Sequence, residues 1–315
     1  MGTITTSSTH FKPELVNEIF SKVKGHSALA KLCGSTPIPF AGIDTFVFSM
    51  DGEACIVGEG ENKPAGDAGV GTVTIKPIKF IYQHRVTDEF LRMTEEKQVP
   101  YLAAMADGFA KKIARALDIA AFHGVNPYDG TASATVGANN FDTAVTQTVT
   151  YVQATPDDNV DAAIGLIQIA DGDVNGIAMA PAFGAALGAK KNGNGMPIFP
   201  EYRFGGNPEK FGGTLTSDIN NTVSFGSSAD RAIVGDFANA FKWGYAENIP
   251  LEVIQFGDPD GLGDLKRKNQ IVLRTEAYIG WGILNAASFA RITEAQQTDP
   301  ETNSDPETNS EDDGV

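Results

Sequence analysis

Residues 58–69 read Gly-Glu-Gly-Glu-Asn-Lys-Pro-Ala-Gly-Asp-Ala-Gly and lie between two stretches with strand periodicity. Upstream, Phe46, Phe48 and Met50 alternate with polar or small residues. Downstream, Val73 and Ile75 do the same, and Ile78, Phe80 and Tyr82 continue after Pro77 shifts the phase. The intervening segment is too long for a tight hairpin turn and too rich in glycine and charge for a core. The pattern predicts a long two-stranded hairpin over residues 45–82 with a mobile tip. A hairpin alone is marginal in water, so its apolar residues need a surface to lie on. Little sequence is available to cover both faces, so that surface is expected to belong to another subunit and to order the hairpin on docking.

Working outward, residues 1–12 are polar and read as a flexible arm. A helix is predicted over Pro13–Leu32, with Leu15, Ile19, Val23, Leu29 and Leu32 as its apolar positions. Pro100–His123 carries the clearest helical stripe: Leu102, Met105, Phe109, Ile113, Leu117 and Ala120, with Asp107, Lys111, Lys112, Arg115 and Asp118 off it. Its 24 residues would span roughly 36 Å, a long rod for a domain of this size. Thr155-Pro-Asp-Asp158 is a helix start, with a capping Thr, Pro at the first position and acids in the first turn. Gly176–Ala180 reads as a buried strand, Pro181–Lys190 as a short helix and Asn192–Gly195 as a turn. Strand-like stretches follow at Ala232–Asp236 and Leu251–Phe256, and two more strands over Gln270–Ile292, bent at Gly280–Gly282. The fold class is α+β.

Composition excludes several function classes. Forty Asp and Glu oppose 24 Lys and Arg, a net charge of −16 over 315 residues. Eight of the excess charges lie in residues 294–315, leaving −8 for the body. So acidic a chain is a poor grip for nucleic acid, because phosphate binding needs Lys and Arg. The tail repeats Asp-Pro-Glu-Thr-Asn-Ser at 299–304 and 305–310; with no apolar residue until Val315, 296–315 is expected to be disordered and to add nothing to folding. No stretch approaches the ~20 apolar residues of a membrane span. The N-terminus has no apolar core of a secretory signal. Gly2 and Thr6 fit a loose myristoylation pattern, but no basic cluster follows to give a second membrane signal. Cys33 and Cys55 sit in no CxxC pair and are expected as two buried free thiols.

Chemistry-bearing motifs are missing where an enzyme would carry them. His10, His26, His84 and His123 are scattered, without the helical spacing of a metal site. There is no GxSxG, and Gly188-Ala-Lys190 lacks the remaining residues of a phosphate loop. Gly69-Val-Gly71 and Gly193-Asn-Gly195 read as turn glycines, and Asp157, Asp158 and Asp161 as helix-start carboxylates. No cofactor, metal or catalytic residue is expected.

The order of the pieces from Leu15 to Ile292 resembles the major capsid proteins of tailed double-stranded DNA phages. Val57-Gly-Glu-Gly-Glu-Asn-Lys-Pro64 is similar to the family's VGEG…KP stretch, and Val86-Thr-Asp-Glu-Phe-Leu91 to the lead-in before its long helix. Ala110–Gly124, with Ile113, Asp118, Ala121 and Phe122, resembles that helix's ending. Gly176–Pro181 with Leu187 and Asn192–Ile198 resembles the strand–Pro–helix–turn of its axial domain. Ala232-Ile-Val-Gly-Asp-Phe237, and Asn269–Arg274 with Glu276–Ile292, are similar to its later strands.

The resemblance implies a phage major-capsid fold: residues 1–44 as N-terminal arm and helix, 45–82 as extended β-hairpin loop, 83–134 as peripheral domain with spine helix. It further implies an axial domain over 135–262, closing peripheral strands over 263–295 and the acidic tail 296–315. The implied function is a structural shell subunit, not an enzyme. It would assemble in the host cytoplasm as hexamers and pentamers of an icosahedral virion enclosing DNA without sequence-specific binding. Scaffolding is expected from a separate protein, because only a short arm precedes the helix; portal and decoration proteins are further expected partners. Glu59, Glu61 and Lys63 at the hairpin tip are the expected intersubunit contacts. Some relatives join subunits by an isopeptide bond, and the resemblance places Lys63, Asn269 and Glu276 near the lysine, asparagine and base of that chemistry. The preferred expectation is that no such bond forms, Asn269 and Glu276 pairing with backbone or Arg274. The competing readings are an encapsulin-like compartment shell, a soluble α+β enzyme with an unrecognised site, and a secreted interaction module.

Overall fold

The computed structural model describes residues 26–51, 54–247 and 251–295. The polar arm, most of the helix predicted over 13–32 and the acidic tail lie outside them. From that helix the described part is α1 (Ala28–Leu32), whose cap Ser27 accepts a hydrogen bond from the Ala30 N–H. β1 (Ile43–Asp51) and β2 (Asp67–Ile75) pair antiparallel from Ile43 opposite Ile75 to Asp51 opposite Asp67. The hairpin therefore ends at Ile75, not Tyr82. Pro77 has no N–H for a ladder, and the chain breaks there. β3 (Ile78–Thr87) then enters a different sheet. Gly69 and Gly71, expected in a turn, lie within β2 opposite Ser49 and Val47.

After a 3-10 turn (Asp88–Arg92) comes the long helix α2 (Glu95–His123), 29 residues and about 43 Å. It begins five residues before the predicted start. Pro100 falls near the N-terminal end, where its missing N–H removes a single helical bond. Gly124 ends it at φ +66°, its N–H bonded to the Ala120 carbonyl, as left-handed glycine caps do. Next come α3 (Phe141–Ala144), β4 (Thr148–Thr150), α4 (Pro156–Ile169), β5 (Gly176–Met179) and α5 (Pro181–Ala189). The chain closes with β6 (Lys210–Phe211), β7 (Leu215–Ile219), β8 (Asp230–Gly235), β9 (Phe241–Glu247), β10 (Leu251–Ile254), β11 (Gln270–Ile283) and β12 (Phe289–Thr293).

Two sheets carry the body. In one, β11 is central: β3 pairs with residues 270–279, β10 with residues 272–275 and β9 with residues 278–283. The predicted bend at Gly280–Gly282 does not interrupt this strand. The glycines instead make room for Ile75, Ile38 and Val73, whose side chains fill the space a Cβ would need. The other sheet has the order β4-β12-β8-β5-β7-β6. The sheets do not divide at the expected boundary of 262/263. β9 and β10 belong with β3 and β11, whereas β12 returns to β8, so the chain crosses between sheets at 236–240 and again at 284–288.

The central strands β5 and β8 of the six-stranded sheet are buried on both faces, which explains their nearly continuous apolar runs. Ile177, Met179, Ala232 and Val234 pack on α4 and α5, with Val160, Ile167, Phe183 and Leu187. The alternate residues Ala178, Ala180 and Ile233 join a larger core of Phe109, Phe122, Phe141, Phe237, Phe289, Trp243 and Trp281. That core ties α1, α2, α3 and β11 to the second sheet.

Candidate intersubunit site

The hairpin register decides what its side chains do. Phe46 stands opposite Thr72 and Phe48 opposite Val70, which puts Phe46, Phe48 and Val70 on one face. They are 74%, 59% and 68% exposed. Val73 and Ile75, opposite Thr45 and Ile43, belong to the other face. Ile75 is fully buried at Gly280 and Gly282. The four apolar residues read together from the sequence thus have two roles: Ile75 anchors the hairpin to its own chain, and Phe46 and Phe48 remain uncovered. At the tip, the Glu61 N–H bonds to the Gly58 carbonyl at 3.2 Å, the Gly58 N–H to Glu61 Oε2 at 3.1 Å, and Gly60 has φ +84°. This is a β-turn whose third position needs glycine. Glu59, Glu61 and Lys63 are exposed, and none forms an ion pair among the described residues. Cys55, expected to be buried, is exposed beside the tip; Cys33 is buried as expected.

The crosslink candidates are not brought together in one chain. Asn269 follows a 3-10 turn (Lys266–Lys268) at φ +52°, and its carbonyl accepts from the Asp88 N–H. Glu276 is seven residues along β11, about 23 Å away by strand rise. It pairs with neither Arg274 nor the backbone, the partners expected for it, but with Lys79 Nζ across β3 at 2.7 Å. Arg274 turns to Gln83 instead.

Reading the sequence alone missed three polar anchors. Arg85 on β3 donates to Asp260, to Asp258 (3.2 Å), to Gln270 Oε1 (3.1 Å) and to the Gly263 carbonyl (2.8 Å). The Arg85 hydrogen bond holds the Asp260 carboxyl down at about 2. The guanidinium is thus the centre around which residues 257–264 wrap, with Gly257, Gly261 and Gly263 at positive φ. Asp118, buried in the long helix, accepts from the Ser27 hydroxyl (2.5 Å), the Ala28 and Leu29 N–H groups (2.8 and 3.3 Å) and the Thr222 hydroxyl (3.1 Å). Burial pushes its carboxyl up to about 7 against those four donors. It completes the capping that Ser27 begins, taking the first two N–H groups of α1 from 90 residues away.

The third anchor is His123, Asp142, Asp230 and Arg291. The first three could hold a metal ion, their ligand atoms lying within 4.8 Å of one another. A cation is already built in: Arg291 Nη2 stands 3.0 Å from Asp142 and 2.9 Å from Asp230. His123 Nδ1 faces Asp142 at 2.9 Å and Nε2 faces the Thr222 carbonyl at 2.8 Å. Both partners are acceptors, so the doubly protonated ring is the form that satisfies both. Burial is the largest single influence and opposes the charge, but the Asp142 hydrogen bond and charge, the Thr222 carbonyl and the Asp230 charge together outweigh it and raise the His123 pKa above 6.5. Burial likewise pushes against Asp142, yet the His123 bond and charge, the Asp230 hydrogen bond and the Arg291 charge together hold its carboxyl below the ordinary value. A raised histidine pKa contributes stability fully below pH 6.5, lost as pH rises through the folded value; Asp142's contribution is lost in acid. The stability gap between wild type and His123→Gln should therefore shrink as pH rises from 6 to 9. Thermal melts across that range check this, and a pH-independent gap would rule out the charged ring.

Three clefts lie among the described residues. Volumes of about 630 Å³ (beside Asp161, Asp171 and Phe211), 490 Å³ (beside α5 and Phe204) and 680 Å³ (between β3 and the long helix) lack histidine and cysteine in their walls. No helix among the described residues is long and apolar enough to cross a membrane.

Comparison with known proteins gives a consistent result. The model of the Phage capsid family matches residues 11–293. A chain of Mycobacterium phage Ogopogo is 31% identical with a TM-score of 0.73, over 86% of this chain and 92% of that one. A chain of Gordonia phage Cozz is 24% identical with a TM-score of 0.68, over 85% and 86%. The capsid of a native GTA particle shares the fold at 14% identity, with a TM-score of 0.61 over 85% and 90%. No curated protein matches the chain.

Proposed function

The chain belongs to the phage capsid family, and from that premise we infer how this structural subunit builds a virion shell. We propose that it assembles in the host cytoplasm as hexamers and pentamers of an icosahedral head enclosing double-stranded DNA, without catalytic activity. The observation that carries this reading is the hairpin: nine paired residues per strand project a Phe46–Phe48–Val70 face that the described residues leave mostly exposed. Such a face is a docking surface, and Glu59, Glu61 and Lys63 at its tip are the contacts it brings to a neighbour. The net negative charge suits a wall that confines DNA without gripping it. Scaffolding, portal and decoration proteins complete the proposed partners.

The sheets supply the proposed domains. The sheet of β3, β9, β10 and β11 with the long helix forms the peripheral domain. The six-stranded sheet with α4 and α5 forms the axial domain, and β12 belongs to it although it is late in sequence. Sizing and electron microscopy of the purified protein test the reading. Megadalton shells around DNA support it; shells around cargo protein would favour a compartment, and a monomer with turnover would favour an enzyme. On denaturing gels, the subunits of such shells are expected to run as monomers. A covalent ladder lost both in Lys63→Arg and in Asn269→Ala would establish a bond from Lys63 to Asn269 instead.

A further inference from the structure

Three Asn-Gly pairs occur in the sequence: Asn175-Gly176, Asn192-Gly193 and Asn194-Gly195. In such a pair the glycine nitrogen approaches the preceding side-chain amide with no Cβ in the way. The fold treats the three differently. Asn175 is tied at both ends of its amide: Nδ2 donates to Asp236, and Oδ1 accepts from the Phe237 N–H at 2.9 Å. Its glycine is buried in β5, between β7 and β8.

The other two pairs lie in the exposed turn after α5, which is closed by the pairing of Lys191 with Pro197. The Asn192 N–H donates to the Met196 carbonyl at 2.8 Å, and the Ile198 N–H to the Lys190 carbonyl at 3.0 Å. Inside this turn Asn192 Oδ1 accepts from two backbone N–H groups, those of Asn194 and Met196, each at 3.0 Å. Two backbone donors converging on one carbonyl oxygen stabilise the oxyanion that forms when a nucleophile adds to its carbon. The nucleophile is the next residue. Among the described residues the Gly193 N–H has no hydrogen-bond acceptor. The Gly195 N–H, the corresponding group for Asn194, is instead held by the Asn192 carbonyl at 2.9 Å. The Asn192 amide is thus activated and its attacking nitrogen free, whereas the other two pairs are each restrained.

We propose that Asn192 is a self-modification site, at which the turn promotes deamidation. The reaction needs only water. Gly193 N bonds to Asn192 Cγ, the charge that develops on Oδ1 is held by the two N–H groups, and the Cγ–Nδ2 bond breaks. The proton lost from Gly193 leaves with Nδ2 as ammonia. Water then opens the cyclic imide: attack at Cγ leaves aspartate, and attack at the main-chain carbonyl leaves isoaspartate. Either product replaces a neutral amide by a carboxylate beside Lys191. Aspartate keeps an oxygen for the two N–H donors, so the turn survives. Isoaspartate lengthens the main chain between Lys191 and Pro197 and breaks their register. The chemistry does not depend on how subunits assemble.

Peptide mapping by mass spectrometry tests the site. The purified full-length protein is aged at mildly alkaline pH in water enriched in heavy oxygen, once folded and once unfolded in urea. In the folded protein Asn192 should convert first and should take up label from the water. In urea its conversion should slow several-fold, because the two donors are lost, while Asn175 should speed up as its restraints are released. Asn192 converting no faster folded than unfolded, or Asn194 converting ahead of it in the folded protein, would overturn the proposal. Gly193→Ala is the second arm. A Cβ there meets nothing within 4 Å, and the backbone is not in the left-handed region. Melting should therefore be unchanged while conversion of Asn192 falls several-fold. Unaltered conversion in that variant would mean that Gly193 N is not the nucleophile, and the proposal would fail.

Discussion

Replacing Phe46, Phe48 and Val70 together by serine should leave the subunit folded and remove its ability to form shells. All three side chains are mostly exposed in the single chain, so their loss withdraws almost nothing from its core. The hairpin base is held elsewhere, by Ile75 against Gly280 and Gly282. On docking, the same side chains would leave water. Covering what is now exposed is worth about 1–2 kcal/mol for each, from ~25 cal/mol per Å² of apolar area. Roughly 4 kcal/mol per joint is about a thousandfold in the concentration needed for assembly, at ~1.4 kcal/mol per factor of ten. The measurement is paired: the melting midpoint of the unassembled subunit, and the concentration at which particles appear. Unchanged melting with assembly lost is the expected pair. Normal assembly would mean that the exposed face meets solvent in the shell and that the hairpin grips by its tip alone.

Much of this architecture could be read directly from residue patterns, because the relevant signals are local. The long helix shows its 3–4 stripe, α4 its Thr-Pro-Asp-Asp start, β5 its unbroken apolar run, and the hairpin its two alternating arms. β9 also carried a local signal that was passed over: Phe241, Trp243 and Tyr245 alternate with Lys242, Gly244 and Ala246. β7, Leu-Thr-Ser-Asp-Ile, has no such alternation and becomes a strand only by pairing with β5 and β6. The break at Pro77 looked like a phase shift within one strand because the residues on both sides are strand-like; which sheet each joins depends on β11, almost 200 residues later. The glycines of β11 resembled a bend for the same reason, their purpose being the space that Ile75 occupies. The polar anchors were least legible. Arg85 meets Asp260 across 175 residues, and Asp118 caps a helix 90 residues upstream. No spacing rule links such pairs. Asp118 lies off the helix's apolar stripe and within the ending that resembles the family, yet it is fully buried, and its capping role is a matter of geometry.

Among single substitutions, Arg291→Met should destabilise the subunit most, although it lies far from the hairpin. Arg291 on β12 holds Asp230 of β8 through Nε and Nη2 and reaches the Asp142 carbonyl through Nη1 at 2.8 Å. Asp230 is fully buried. Burial pushes its carboxyl up to about 6 even with the guanidinium in place, and the nearby Asp142 charge pushes the same way. Without Arg291, two carboxylates would share one histidine cation in a water-poor junction. Breaking a buried pair by removing one partner typically costs about 3–5 kcal/mol, because the remaining charge is uncompensated. At roughly 2–4 °C per kcal/mol for a chain of this size, the melting midpoint should fall by about 10 °C. Lysine cannot substitute, since a single ammonium does not span Asp230, the Asp142 carboxylate and the Asp142 carbonyl together. The discriminating variant is Arg291→Met with Asp230→Asn: removing the stranded charge should recover about half of the loss, whereas a defect of packing alone would remain. The junction joins the end of the long helix to β8 and β12, the place where the two sheets meet. A loss there should therefore lower the midpoint of the whole subunit in one transition, and a melt that splits into two would show that the halves unfold independently of this network.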